Sequence, residues 1–131
     1  MPRLAAVVRA GHPEEAAEAA VVGKAVARAA DWLGLGNREL ARILGLSEAS
    51  VSRLRRGAFA LDPGSEPFEL AVLLVRLFRS LDALVGGDET VARAWLRNPD
   101  TALGAVPLQR MATVTGLLDV LAYLDSRRAV L

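Results

Sequence analysis

Cysteine is absent from the 131-residue chain. That excludes a disulfide framework, thiol chemistry and thiolate-bound zinc. A single histidine, His12, leaves neither a Ser-His-Asp set nor an imidazole metal site. The carboxylate pairs Glu14-Glu15 and Asp88-Glu89 fall where helices start, and capping and the helix dipole explain them there. Gly34-x-Gly36 follows a helical stretch instead of a strand, so it is no dinucleotide fingerprint. No catalytic residue, metal or cofactor is therefore expected, and the chain reads as a non-enzyme. Aromatic residues make up 5% of the chain and β-branched runs are scarce, which disfavours a sheet. Long hydrophobic runs are missing too. The most apolar stretch, Phe68–Val85, is interrupted by Glu69, Arg76, Arg79 and Asp82, whereas a membrane span wants about 20 mostly apolar residues. Leu4–Val8 is stopped by Arg9 and is too short for the core of a signal peptide. A cytoplasmic protein without membrane contact is expected. Charge of one sign is also lacking. The net value is +1, so nucleic-acid affinity has to come from a local patch.

What the chain does hold is alanine, leucine, valine and arginine, with 53% of residues apolar. Such a composition favours an all-α fold with a substantial core. Residues 1–12 read as a flexible arm. Pro13-Glu14-Glu15 opens a helix, because proline suits its first position and the acids face the positive end of its dipole. Ala16, Ala19, Ala20, Val26, Ala29, Ala30 and Leu33 continue it as an apolar stripe, and Gly34 and Gly36 end it. Short helices follow over Asn37–Leu44 and Ser47–Arg56, then a turn at Asp62-Pro63-Gly64. A helix over Glu66–Val85 is apolar nearly all round, as expected of a central spine or of a surface shared with a second copy. Asp88 caps a helix to about Arg97, Asn98-Pro99-Asp100 turns the chain, and Pro107 starts a last helical region to roughly Arg128, with a bend expected at Gly116. Trp32 and Trp95 sit on apolar sides of their helices and are expected in the core.

Asn37–Arg56 meets the demands of a helix-turn-helix. Ala41 is the small residue two crossing helices need, and Gly45 tolerates the positive φ of a tight turn. Leu40, Leu44, Leu46, Val51 and Leu54 point into the crossing, and Ser47 caps the second helix. That helix belongs in the DNA major groove. Its phase turns Glu48, Ala49, Ser52 and Arg53 outward. Arg53 suits guanine O6 and N7, Ser52 suits several partners, and Glu48 suits cytosine N4. Asn37, Ser47, Arg55 and Arg56 are placed for phosphates. The window holds five arginines against two glutamates, a local positive excess that suits a polyanion. A single copy of so small a reading head binds weakly, which points to a homodimer on two half-sites, with the 66–85 helix as candidate pairing surface.

Beyond residue 88, Trp95-Leu96, Pro99, Leu103-Gly104, Pro107-Leu108, Thr113, Gly116, Val120 and Leu124 occur in an order that resembles the Xre/MbcA/ParS antitoxin toxin-binding domain. The helix-turn-helix upstream resembles the Xre-type domain that precedes it in that family, and together the resemblance covers roughly residues 15–128. It implies an Xre-like helix-turn-helix domain over 13–85 and a small helical toxin-binding module over 86–131. It also implies a RES-domain toxin that consumes NAD as partner, an active-site cleft covered by the C-terminal module, and repression of the chain's own operon through operator DNA. The residues nearest the toxin would then be the tail, chiefly Asp125, Arg127, Arg128 and Leu131, as an extended plug whose arginine forks and carboxylates suit a dinucleotide site. Arg127 and Arg128 equally complement the negative end of a helix dipole. Two other classes stay open at this point. One is a stand-alone repressor whose C-terminal half only dimerises. The other is a protein-binding module whose helix-turn-helix has lost DNA contact.

Overall fold

The computed structural model describes residues 13–130. The expected arm at 1–12, with His12, and the tail residue Leu131 lie outside these residues. Among the described residues seven helices follow one another: α1 Pro13–Leu33, α2 Asn37–Leu44, α3 Glu48–Arg55, α4 Glu66–Val85, α5 Glu89–Arg97, α6 Pro107–Arg110 and α7 Val114–Val130. Among the described residues there is no strand, only an isolated bridge between Asp100 and Ala105. None of these helices is long and apolar enough to cross a membrane.

Local chemistry sets the ends. Ser47, Ser65 and Asp88 each accept from the backbone N–H of the third residue of α3, α4 and α5, satisfying a donor that a helix start leaves open. Gly86 ends α4. Gly45 ends α2 at φ 70°, where Gly45 and Leu46 both donate to the Ala41 carbonyl. An L side chain there would be strained, so the glycine is what makes the turn between α2 and α3 tight.

The helix α4 takes the role of spine. It packs against α1, α2, α5 and α7, so much of its apolar circumference is covered by the chain's own helices, while Val72, Leu73, Phe78, Leu84 and Val85 are half-buried. Leu74 and Leu77 of α4 are fully buried among Leu33, Leu40, Leu44, Leu96 and Leu124, and burying each such leucine contributes about 2 kcal/mol. Because α4 touches helices before and after it, the helix-turn-helix and the C-terminal helices share one core.

Three expectations need correction. The last helical region does not bend at Gly116. It breaks earlier, across 111–113, where Met111 is fully buried and Thr113 caps α7 by accepting from Gly116 N at 3.0 Å. The tail is no extended plug: α7 continues through Val130. Finally, Trp32 and Trp95 are only half-buried and pack against the rim of the core. Trp32 meets Phe78 edge-on at 5.1 Å, whereas Trp95 keeps its indole N–H for a polar partner, Asp100.

Candidate DNA-reading and partner-binding surfaces

Leu40, Ala41, Leu44, Val51 and Leu54 are buried where α2 crosses α3, and Leu46 is half-buried in the turn. With Val51 and Leu54 turned inward, Glu48, Ala49, Arg53 and Arg56 are exposed and Ser52 is half-exposed. Side-chain bonds one helical turn apart order this outer face. The Ser47 hydroxyl accepts from Ser50 N and donates to Ser50 Oγ, both at 3.0 Å. Arg53 Nη2 donates to Ser50 Oγ at 3.3 Å, and Arg56 Nη1 donates to Ser52 Oγ at 2.8 Å. Ser50 lies outside the residues that helical phase marks as outward-facing. Its signal is the spacing Ser47-x-x-Ser50-x-x-Arg53, which stacks the three side chains on one helix face. Glu48 has no hydrogen-bond or ion-pair partner among the described residues.

Arg55 is placed differently from its neighbours. Its guanidinium donates to Asn37 Oδ1 at 2.7 Å, to the Leu35 carbonyl at 2.7 Å and to Asp31 Oδ1 at 3.1 Å. The C-terminal turn of α1 leaves carbonyls unpaired, and the Arg55 fork reaches the segment just after it. Arg55 and Asn37, both expected at phosphates, thus spend this bonding on each other and on the protein.

Two arginines of α5 hold the same region from the other side. Arg93 donates to the carbonyls of Trp32 (3.0 Å) and Asp31 (2.9 Å), and Arg97 donates to that of Gly34 (2.8 Å). Arg97 also grips Glu39 of α2 with both fork nitrogens, at 2.8 and 2.9 Å. That hydrogen-bonded pairing holds the Glu39 carboxyl below its ordinary value and raises Arg97.

On the C-terminal side, Asp100 organises the loop between α5 and α6. It accepts from Trp95 Nε1 at 2.9 Å, from the backbone N–H of Ala102 and Leu103 at 2.8 and 3.0 Å, and from Tyr123 Oη at 3.4 Å. The Trp95 bond leads the causes that lower the Asp100 carboxyl. Tyr123 of α7 stacks on Trp95 with ring planes 4° apart, and Arg127 lies over the Tyr123 ring at 5.8 Å. Arg127 also donates to Tyr123 Oη at 3.2 Å.

The other expected tail contacts are held against α4. Ser80, 2% exposed within the apolar spine, donates to Asp125 Oδ1 at 2.6 Å and accepts from Arg128 Nη1 at 3.1 Å. Asp125 also lies 3.8 Å from Arg76. A serine amid an otherwise apolar face of α4 was the available signal for this anchor.

Glu39 and Asp100 share a consequence for stability. Both carboxyls are depressed in the folded chain, so their contribution is complete above their ordinary values and is lost as pH falls through the folded ones. The melting temperature should therefore hold down to about pH 5 and fall below about pH 4. Thermal melts of Asp100→Asn should show a shallower fall over that acid range than the parent.

Family models match nearly the whole chain. The antitoxin Xre-like helix-turn-helix domain matches residues 12–76, and the antitoxin Xre/MbcA/ParS C-terminal toxin-binding domain matches residues 80–129. No curated protein matches the chain. The first match ends and the second begins within α4, the helix against which both halves pack. With its helix-turn-helix ahead of a toxin-binding module, the chain belongs to the Xre/MbcA/ParS-type antitoxins.

Proposed function

We propose that this antitoxin neutralises a RES-domain, NAD-degrading toxin by covering its active site, and that it represses its own operon by reading DNA with α3. The observation that carries the DNA half is the division of α3. Val51 and Leu54 lock the helix to the core, while Glu48, Ala49, Ser52, Arg53 and Arg56 face outward or half-outward. In this reading Arg53, oriented by Ser50, pairs with guanine in the major groove, Ser52 and Glu48 flank it, and Ser47 and Arg56 meet phosphates. A homodimer presents two such helices to successive half-sites. For the toxin half, support comes from the match over residues 80–129, with Asp125, Arg127 and Arg128 at the end of α7 as the proposed contacts and Leu131 beyond the described residues. Cytoplasmic location follows from both partners, and no catalytic step is assigned to the chain itself.

Gel shifts on the region upstream of the gene test the first half. Arg53→Ala is expected to weaken binding by about tenfold or more, as loss of a bidentate base contact does. Arg56→Ala should weaken it more evenly across sequences. Parent-like binding by both variants would overturn the groove assignment. For the second half, deleting residues 127–131 should reduce inhibition of the toxin's NAD consumption while DNA binding persists; undiminished inhibition rules out the tail as the blocking element.

A further inference from the structure

The two matched regions do not meet flush. Between α2 and the α5–α6 side lies a cleft of about 320 Å³ lined by Arg42 and Ile43 from the helix-turn-helix and by Arg97, Val106, Leu108, Gln109 and Ala112 from the C-terminal module. A second depression of about 590 Å³ runs along the Asp100 loop from Pro99 to Gly104. Val106 and Gln109 line both, so the two depressions lie side by side as a trough on this face.

The chemistry of the trough is asymmetric. Glu39 is already matched by the two-pronged Arg97 bond, which cancels that pair. Arg42 is exposed and has no hydrogen-bond or ion-pair partner among the described residues, so the cleft carries one unmatched cation. Beside it Ile43, Leu108 and Ala112 form an aliphatic wall, and the exposed Gln109 carboxamide supplies a donor and an acceptor midway. Most of the lining belongs to the region matched as toxin-binding.

We propose that this trough seats an extended peptide segment of the toxin, one that sets a carboxylate against Arg42 and an aliphatic side chain on the Ile43–Leu108–Ala112 wall. This rests on the reading above that the chain binds a RES-domain toxin. It adds a contact distinct from the end of α7, one that places the toxin directly on the first helix of the helix-turn-helix.

The test measures the dissociation constant between the full-length antitoxin and the RES-domain toxin of the proposed pair, by calorimetry. Arg42 and Gln109 are exposed, so substitutions there leave the fold intact, and unchanged melting temperatures check this. Arg42→Glu, which reverses the charge, and Gln109→Trp, which fills the middle of the trough, should each raise the dissociation constant by about tenfold or more. Arg42→Lys, which keeps the charge, should stay within about threefold. Glu and Trp variants that bind as tightly as the parent overturn the trough assignment and leave the toxin reading standing. A parent chain that forms no complex with the RES-domain protein overturns that reading and the trough assignment with it.

Discussion

Gly116→Ala is expected to lower the melting temperature by roughly 10 °C, about 3 kcal/mol in stability. Inside a helix the ordinary sign is the reverse, since alanine is favoured over glycine by about 1 kcal/mol. Here Gly116 is buried, and a Cβ on it would run into the backbone carbonyl of Arg110, the last residue of α6, and crowd Thr113 Oγ1 at 2.9 Å. A backbone carbonyl does not swing aside as a long side chain does, so α6 as a whole would have to move. Its position is fixed by fully buried Met111 on one side and by the Arg110–Asp119 ion pair at 3.3 Å on the other. Thr113→Ala provides the scale: it removes only a cap and should cost about 1 kcal/mol. Thermal melts of the two variants decide the matter. A Gly116→Ala protein as stable as the parent would mean that α6 yields freely.

The same glycine shows how far the sequence could be read. Boundaries written in local chemistry were legible: Gly45 turns α2 into α3 and Asp88 caps α5. The break before α7 carries no proline or glycine, because buried Met111 and the Thr113 cap make it, so residue pattern alone points to Gly116 instead. A glycine required by a neighbouring helix looks like a hinge when only its own helix is in view. Helical phase likewise showed which side of α3 faces away from the core, since one apolar pair, Val51 and Leu54, settles it. Phase said nothing of where arginines reach. Arg93 and Arg97 find acceptors about 60 residues back, and Ser80 gathers Asp125 and Arg128 from nearly 50 residues ahead. Charge and spacing count arginines; only the packing of α1 and α7 on α4 decides which of them are spent inside the protein.

Arg55 is where that distinction has the largest measurable consequence. Arg55→Met, which keeps the aliphatic stem and removes the fork, is expected to cost about 2 kcal/mol, an effect of about thirtyfold on the folding equilibrium. The side chain is 20% exposed, so the bonds it makes to Asn37, Asp31 and the part-buried Leu35 carbonyl are only partly screened by water. Losing them leaves the Leu35 carbonyl without that donor and unties α3 from the start of α2. Two measurements separate this role from a phosphate contact. Denaturant unfolding should show the loss with no DNA present. Under conditions where the variant is folded, the slope of DNA affinity against salt should match the parent, because a lost phosphate contact would reduce that slope by about one. A variant with parental stability and a shallower salt slope would return Arg55 to the DNA face. The expected pattern makes it the strut that fixes the angle of α3, so that Arg53 and Arg56 are presented by a helix held at both ends: Ser47 caps its start and Arg55 ties its last turn to α1 and α2.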